Sequence, residues 1–389
     1  MGNNWKSRKI GELGKVVTGK TPSTRDLDNF EGNFPFITIP DLNGRVFIDY
    51  SDRTLSDVGA GKMKSLLLPQ NSVMMSCIAT IGKCGITTKP SFTNQQLNSV
   101  ICGEDINPLF LYYTFTQLGY ELEAAGGGGS VYTNVSKTRF SNIEISVPPL
   151  AEQRAIAGML GALDDKIELN RRMNATLEAM ARAVFKKLTN DEGGEEKTIG
   201  EVVTIAGGST PSTTNQTFWN NGNIHWATPK DLAPLHSPIL LDTNSRITER
   251  GLKEISSGLL TEGTVLFSSR APIGYLAISQ IPVAINQGFI AIKCTQEMPN
   301  YFIVNWIKEN MDEIIGRANG TTFLEISKSN FKPMTITVPP FEKMKTYTEV
   351  VEPMYQKIVA NLKESRTLAS LRDSLLPRLM SGEVRVKET

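Results

Sequence analysis

Residues 10–24 read IGELGKVVTGKTPST, and residues 199–213, which lie 189 positions later in the 389-residue chain, read IGEVVTIAGGSTPST. Both stretches end in the same four residues. The match continues in order at four further dipeptides, whose counterparts lie 190 to 192 residues later: Asp41-Leu42, Ile81-Gly82, Asn94-Gln95 and Pro148-Pro149. An ordered series at a nearly constant offset indicates internal duplication, which decides the fold before any single motif does. The sequence therefore predicts two copies of one unit.

Each copy has two parts that differ in their pattern of apolar residues, glycine and proline. The first part mixes short β-like runs with Gly, Pro, Asn and Thr, which predicts an α+β globule; such runs are SVMMSCI (72–78), TVLFSS (264–269) and IEISVPP (143–149). The second part, residues 151–188, lacks proline, and its apolar residues recur at heptad spacing, as in Ile156, Leu160, Leu163 and Ile167. Residues 342–380 repeat this seam. The predicted fold is α+β, with two pseudo-symmetric globules joined by two long helices that form an antiparallel coiled coil.

The positions at which this pattern changes predict the domain boundaries. They are a first globule (1–150), a first helix (151–188), a solvated linker (189–197), a second globule (198–340), a second helix (341–380) and a tail (381–389). Pro353 is expected to kink the second helix, and Pro377 to lie near its end.

Polar residues interrupt the apolar seam near the centre of each helix. Asn170 and Asn174 occupy seam positions in the first helix, and Asn361 and Ser365 occupy the equivalent positions in the second. A polar seam residue lowers stability but fixes register, and antiparallel helices of equal length bring their centres together. Asn170 is therefore predicted to lie near Asn361. The alternative is that each Asn faces solvent.

Composition limits the classes of function. Hydrophobic residues make up 40% of the chain, enough to exclude a disordered protein, and the net charge of +1 excludes nucleic-acid binding through bulk positive charge alone. No run of about 18 apolar residues and no secretory signal occurs, so a cytoplasmic protein without membrane contact is expected. The four cysteines and two histidines lack the spacing of a disulfide framework or a metal site, and the cysteines are expected to be reduced and buried.

One motif suggests an enzyme. Residues 14–21, GKVVTGKT, fit the P-loop pattern GxxxxGK[ST], in which a Gly-rich loop holds phosphates. In the second copy Val203 replaces Gly14 and Ser209 replaces Lys20, whereas Thr-Pro-Ser-Thr remains. The retained part predicts a structural turn, and a P-loop nucleotide-binding enzyme stays as the less favoured alternative. No catalytic residue is predicted.

The order of these features resembles the specificity subunits of type I restriction-modification systems. The resemblance rests on the duplicated dipeptides, on Gly19 and Gly208 with their Thr-Pro-Ser-Thr turns, and on residues 148–156, PPLAEQRAI, which look like the family's PPLxEQxxIA start of a spacer helix. Residues 371–377, LRDSLLP, look like the family's usual ending. The second copy departs from the pattern because FEKMK (341–345) lacks the Glu-Gln pair.

The resemblance implies that each globule is a target-recognition domain that reads one half of a split double-stranded DNA sequence. The two helices would form the spacer on which two modification (methyltransferase) subunits dock, and restriction (motor nuclease) subunits would join them. No cofactor is expected on this chain, whereas S-adenosylmethionine, ATP and magnesium are expected on the partner subunits. A DNA-recognition scaffold of a nuclease-free methylation or phage-defence system remains the main alternative.

The predicted DNA-binding residues are polar or basic residues of the shared loops. In the first copy they are Lys20, Ser23, Lys83, Asn94, Gln95, Ser130, Lys137 and Arg139; in the second they are Ser209, Ser212, Arg270, Asn286, Gln287, Thr321, Thr322 and Lys328. The predicted partner-binding and spacer residues are Glu152, Gln153, Arg154, Asn170, Asn361, Arg372 and Asp373. Residues that are the same in both copies cannot make the two copies recognise different DNA bases, so a structural role is favoured for the Asn-Gln pairs. Arg270 differs from its counterpart, Ile78.

Overall fold

A computed structural model describes residues 4–126, 134–190, 193–320 and 324–386. The chain divides into two compact units: unit 1 comprises residues 1–169 and 364–389, and unit 2 comprises residues 170–363. The sequence pattern predicts boundaries at the helix ends, but the division falls in the middle of each long helix. The reason is that each half-helix packs into the core of its own unit.

The described part of each unit contains ten strands. Those of unit 1 are β1 Lys6–Lys9, β2 Gly14–Thr18, β3 Phe30–Ile37, β4 Phe47–Ile48, β5 Arg53–Leu55, β6 Val73–Ser76, β7 Cys84–Thr87, β8 Phe92–Thr93, β9 Leu97–Cys102 and β10 Glu144–Val147. Those of unit 2 are β11 Glu195–Thr198, β12 Thr204–Gly207, β13 Ile224–Ala227, β14 Ile239–Leu240, β15 Ser245–Ile247, β16 Val265–Ser268, β17 Leu276–Ser279, β18 Ala284–Ile285, β19 Phe289–Lys293 and β20 Thr335–Val338.

The sheets of the two units have the same topology. Unit 1 contains a five-stranded sheet in the order β2-β9-β6-β7-β4, a three-stranded sheet β5-β3-β8 and a pair β1-β10. Unit 2 repeats this arrangement as β12-β19-β16-β17-β14, β15-β13-β18 and β11-β20. The parallel pairs also correspond, since β3 pairs with β8 and β13 with β18. The predicted duplication and the α+β class are therefore confirmed.

The helices differ greatly in length. They are α1 Asp57–Lys62, α2 Pro108–Gly126, α3 Lys137–Asn142, α4 Leu150–Asn190, α5 Ile199–Val202, α6 Pro229–Leu232, α7 Glu249–Leu252, α8 Asn300–Glu309, α9 Met311–Gly316, α10 Lys328–Phe331 and α11 Phe341–Met380. α4 and α11 are the two predicted long helices, with 41 and 40 residues. α11 continues through Pro353, whose ring is exposed.

The two long helices run antiparallel within each unit. In unit 1, Ile156 and Leu160 of α4 share a core with Leu379 and Leu376 of α11, and Lys166 pairs with Glu364. The residue numbers fall along one helix as they rise along the other, which is the antiparallel order. In unit 2, Asn170 contacts Asn361 and Phe185 contacts Tyr347, so the order is the same.

The buried face of each helix is wider than a two-helix seam. Predicted seam residues such as Leu163 and Leu177 are only half-buried, whereas Phe185, which lies outside the predicted seam, is 3% exposed. Phe185 packs against Phe302 of α8 as well as against α11. The helices therefore bury surface against the globular part of each unit in addition to each other.

The predicted linker at residues 189–197 is too long. Residues 195–197 belong to β11, which pairs antiparallel with β20, and α4 extends to Asn190. The equivalent strand in unit 1 is β1, paired with β10. The charges of Glu195, Glu196 and Lys197 predict a solvated segment, but a short two-stranded sheet needs few apolar residues when one of its faces meets solvent.

Burial agrees with the predicted state of the cysteines only in part. Cys77 and Cys84 are buried, but Cys102 and Cys294 are half-buried; all four are free thiols. Burial raises the pKa of Cys77 to about 11 and those of Cys102 and Cys294 to about 12, so these thiols are protonated near neutral pH. Among the described ranges, no helix contains a stretch long and apolar enough to cross a membrane.

Candidate nucleic-acid interface

Four segments of unit 1 meet at one end of its five-stranded sheet. β2 and β6 end there, and β7 and β9 begin there, because these neighbours are antiparallel: Thr18 lies opposite Asn98, Ser76 opposite Leu97 and Met75 opposite Cys84. We call the four segments the segment cluster. They are residues 19–23, 77–83, 94–96 and 134–139 in unit 1, and residues 208–212, 269–275, 286–288 and 325–330 in unit 2.

Backbone hydrogen bonds join these segments identically in both units. In unit 1, the N–H groups of Lys20, Cys77 and Val135 donate to the carbonyl oxygens of Thr93, Gln96 and Cys77, at 2.8–3.0 Å. In unit 2, the N–H groups of Ser209, Ser269 and Ile326 donate to the carbonyl oxygens of Ile285, Gly288 and Ser269, at 2.8–3.1 Å. The cluster is therefore a fixed scaffold built twice.

The duplicated glycine is required by a close backbone approach. A Cβ atom on Gly19 would lie 2.2 Å from the carbonyl oxygen of Asn94, and one on Gly208 would lie 1.9 Å from that of Ile285. No heavier side chain fits at this distance. The next shared residues reinforce the contact, because Thr21 Oγ1 donates to Gln95 Oε1 at 2.8 Å, as Thr210 Oγ1 does to the equivalent Gln287.

The structure contradicts the P-loop alternative. Gly14–Thr18 forms strand β2, fully paired with β9, and the chain continues from Gly19 into an extended turn. A P-loop requires a Gly-rich loop that leads into a helix at the Lys-Thr pair, and none begins there.

Several predicted DNA-binding residues have structural partners. The Oδ1 atoms of Asn94 and Asn286 accept from the backbone N–H groups two residues later, at 3.0 and 2.9 Å. Ser209 Oγ donates to the carbonyl oxygen of Glu254 and accepts from the N–H of Ser256. The shared Asn-Gln pairs thus shape the turn, as the sequence reasoning favoured.

Other predicted residues are exposed to solvent. Lys20, Lys83, Lys137 and Lys328 are exposed, and none has a salt-bridge partner among the described residues. Ser23, Arg139 and Ser212 are exposed as well. Ser130, Thr321 and Thr322 lie outside the described residues. An exposed lysine without an internal anion is well suited to contact phosphate.

Sequence reasoning missed Asn134 and Glu325, which occupy equivalent positions in the segment clusters of the two units. Ile78 forms an isolated antiparallel bridge with Asn134, and Arg270 forms the same bridge with Glu325. Asn134 and Glu325 are equivalent, 191 residues apart, and both differ between the units. A signal was available, since each lies two residues before a shared Ser-Lys dipeptide.

A polar cluster anchors the helices in unit 1. Asp164 of α4 is 9% exposed; it accepts from Arg372 Nη1 of α11 at 2.5 Å and from the hydroxyl of Tyr113 of α2 at 2.6 Å. Arg372 also binds Asp373. Asp164 and Tyr113 escaped the sequence analysis because neither interrupts the apolar seam.

The start of α4 makes internal contacts. Gln153 is 1% exposed, and its amide binds the N–H of Asn107 and the carbonyl oxygens of Asp105 and Pro148. Glu152 accepts from the indole of Trp5. Arg154 is exposed. Met344, the counterpart of Gln153, is buried in the core of unit 2.

In unit 2, three buried asparagines lie between the helices. Asn170 Nδ2 donates to the carbonyl oxygen of Asn361 at 3.4 Å, and Asn361 Nδ2 donates to Asn174 Oδ1 at 2.8 Å. All three are at most 3% exposed. The predicted proximity of Asn170 and Asn361 is confirmed, and the solvent-facing alternative is wrong.

Equivalent apolar residues are exposed on the helices of the two units. Met159 and Leu371 are 40% and 46% exposed in unit 1. Their counterparts in unit 2, 191 residues away, are Val350 and Met180, at 44% and 48%. These exposed apolar side chains therefore recur at matching positions of the two units.

These features define a class of duplicated α+β proteins. Each unit carries one segment cluster with exposed lysine and one half of the pair of long helices. The family model described as "Type I restriction modification DNA specificity domain" matches the chain twice, at residues 2–179 and 191–366. The chain belongs to this family. It is a non-catalytic specificity subunit with two DNA recognition domains.

Individual relatives agree with this assignment. The MjaIX type I restriction enzyme specificity subunit of Methanocaldococcus jannaschii is 26% identical over 99% of this chain and 94% of its own length. The HindI specificity subunit of Haemophilus influenzae is 38% identical over 37% of this chain and 32% of its own. The crystal structure of the S subunit from M. genitalium has the same fold, with a TM-score of 0.55 over 100% of this chain and 97% of that one, at 16% identity.

Proposed function

We propose that each unit reads one half of a bipartite double-stranded DNA target through its segment cluster. The observation that carries this proposal is the duplicated scaffold: shared residues hold the turns in place, whereas exposed positions within them differ. Lys20 and Lys83 correspond to Ser209 and Tyr275. A common backbone with different exposed side chains is what two different half-sites require, because base contacts specify the sequence while phosphate contacts position the protein.

The near-zero net charge supports a division of labour in DNA binding. Non-specific affinity comes from neutralised phosphates, and among the described residues the segment cluster exposes three lysines without a salt-bridge partner in unit 1 and one in unit 2. Partner subunits would supply much of the phosphate contact. They would also carry S-adenosylmethionine for methyl transfer, and ATP with magnesium for DNA cleavage. Since these reactions act on chromosomal and invading DNA, the complex would act in the cytoplasm.

An exchange of units tests independent reading. Replacing residues 5–147 with the first unit of another family member is expected to change one half of the methylated sequence only. Methylome sequencing of cells that carry the hybrid is the measurement. The matched control replaces residues 195–338 and should change the other half. If either hybrid alters both halves, or neither half, the units do not read DNA independently.

Two modification subunits are proposed to dock on the helical pair, one at each exposed apolar surface. Each surface has the same two positions, Met159 with Leu371 in unit 1 and Val350 with Met180 in unit 2. Two copies of one partner fit two equivalent surfaces, since an equal contact area is available to each. Restriction subunits would join through the docked partners, and their presence would be decided by co-purification.

Introducing two negative charges on one surface is expected to remove one partner. Met159→Glu with Leu371→Glu should reduce the bound modification subunits from two to one in native mass spectrometry, because an apolar interface would then bury two carboxylates. Met180→Glu with Val350→Glu should do the same, and all four changes should leave none. Lys357→Glu, an exposed charge change on α11, is the control and should retain two. Retention of two subunits by both double variants would exclude these surfaces.

A further inference from the structure

We propose that Glu325 positions Arg270 to read a guanine, and that this pair determines one base of the half-site read by unit 2. The proposal rests on the proposed function of the segment cluster and adds a residue that sequence reasoning did not identify. Its starting point is the isolated bridge at which Arg270 faces Glu325, while Ile78 faces Asn134 in unit 1.

The backbone at this bridge is the same in both units although the side chains differ. In both units the residue after the second bridge partner donates its N–H to the carbonyl oxygen of the residue before the first partner. Val135 N–H donates to Cys77 O, and Ile326 N–H donates to Ser269 O. The residue that follows the first partner, Ala79 or Ala271, has a positive φ in both units, 65° and 53°. Two positions that form the same bridge in both units, and whose residues both differ between the units, are suited to encode a difference between half-sites.

The side chains of the pair are held loosely and remain accessible. Arg270 Nη1 lies 3.5 Å from Glu325 Oε2, and the two side chains are 38% and 45% exposed. Among the described residues, this is the contact that the Arg270 side chain makes. An ion pair with this exposure contributes little to stability, so folding does not account for its presence.

Glu325 has a well-fixed backbone. Its N–H donates to the carbonyl oxygen of Asn319 and its carbonyl oxygen accepts from the N–H of Asn319, both at 2.9 Å. The next residue, Ile326, is 1% exposed and anchors the segment in the core. The side chain of Glu325 therefore projects from a fixed backbone position beside Arg270, which lets its carboxylate orient the guanidinium.

The chemistry of this arrangement favours guanine. A carboxylate that binds one edge of a guanidinium leaves another N–H edge free, and that edge matches the O6 and N7 acceptors of guanine in the major groove. The carboxylate also repels phosphate, so the pair is suited to a base edge and not to the backbone. Lysine can donate to the same acceptors but lacks the planar fork, so it should discriminate guanine less strongly than arginine does. Ile78 and Asn134 lack the cation, so the half-site of unit 1 should not show this dependence.

Three variants of the full chain, assembled with its modification subunits, test the proposal. Arg270→Ala is expected to weaken binding of the specific site by about 5- to 150-fold and to relax the preference at one guanine of the second half-site only. Arg270→Lys keeps the charge but lacks the planar fork, so it should weaken the guanine preference while non-specific binding and its salt dependence stay unchanged. Glu325→Gln should relax the same position.

Methylome sequencing, together with binding to DNA substituted at each position, is the measurement, and melting temperatures exclude misfolding. Ile78→Ala is the matched control and should leave the second half-site unchanged. A guanine preference in Arg270→Lys as strong as that of the natural protein, or a loss of binding in Arg270→Ala that is equal on all sequences, would overturn the proposal. So would a Glu325→Gln variant with full base preference. Failure of the unit-exchange experiment would instead refute the proposed function.

Discussion

Replacing Arg372 with methionine is expected to lower the free energy of unfolding of unit 1 by about 3 kcal/mol. Its guanidinium is the cation that faces the 9%-exposed Asp164, and among the described residues Met leaves that carboxylate with the Tyr113 hydroxyl as its one remaining donor. Removing one partner of a buried pair typically costs about 3–5 kcal/mol, and the lower end applies because Arg372 is 23% exposed. Urea unfolding measures the loss, and hydrogen exchange of residues 150–169 and 364–380 places it in unit 1.

The matched control breaks another ion pair between the same two helices. Lys166 lies 3.3 Å from Glu364, but both side chains are at least 40% exposed, so Lys166→Met should change stability by no more than about 1 kcal/mol. Converting the whole cluster to apolar residues, by Tyr113→Phe, Asp164→Leu and Arg372→Met together, should restore most of the stability. A triple variant as unstable as Arg372→Met alone would show that the loss comes from packing and not from the unpaired charge.

Replacing Asn361 with alanine is expected to lower the stability of unit 2 by about 1–3 kcal/mol, because Asn174 Oδ1 loses its donor in a buried site. Urea unfolding is again the measurement. Gln356→Ala, which removes an exposed side chain from the same helix, should stay within about 0.5 kcal/mol of the natural protein. Equal losses in the two variants would mean that the buried amide contact contributes nothing.

The opposite change separates stability from register. Replacing Asn170, Asn174 and Asn361 with leucine should raise the melting temperature, since these three amides then no longer lie buried between the helices, but should weaken the specification of one helix register. Spin labels at positions 175 and 357, both in unit 2, should then show a broader distance distribution. A distribution as narrow as that of the natural protein would show that the asparagines do not set the register.

The sequence alone determined the duplication and the helical pair, because both depend on patterns that the chain repeats. The offset of Ile10 from Ile199 predicts two equal units, and both units have the same sheet topology. The heptad pattern predicts α4 and α11, since a helix that buries one face must place apolar residues at the helical period. Asn170 and Asn361 were predicted to meet because antiparallel helices bring their centres together, and they do.

Side-chain partners between distant segments were decided by the tertiary structure. Asp164 is a polar residue outside the seam, and only the packing of α2 and α11 around it makes it buried. Glu325 faces Arg270 because two segments 55 residues apart meet at one end of a sheet. Phe185, which lies outside the predicted seam, is buried by Phe302 of α8 together with Tyr347 of α11. A one-dimensional pattern reports the period of an element, whereas the identity of its neighbours is set by how the whole chain packs.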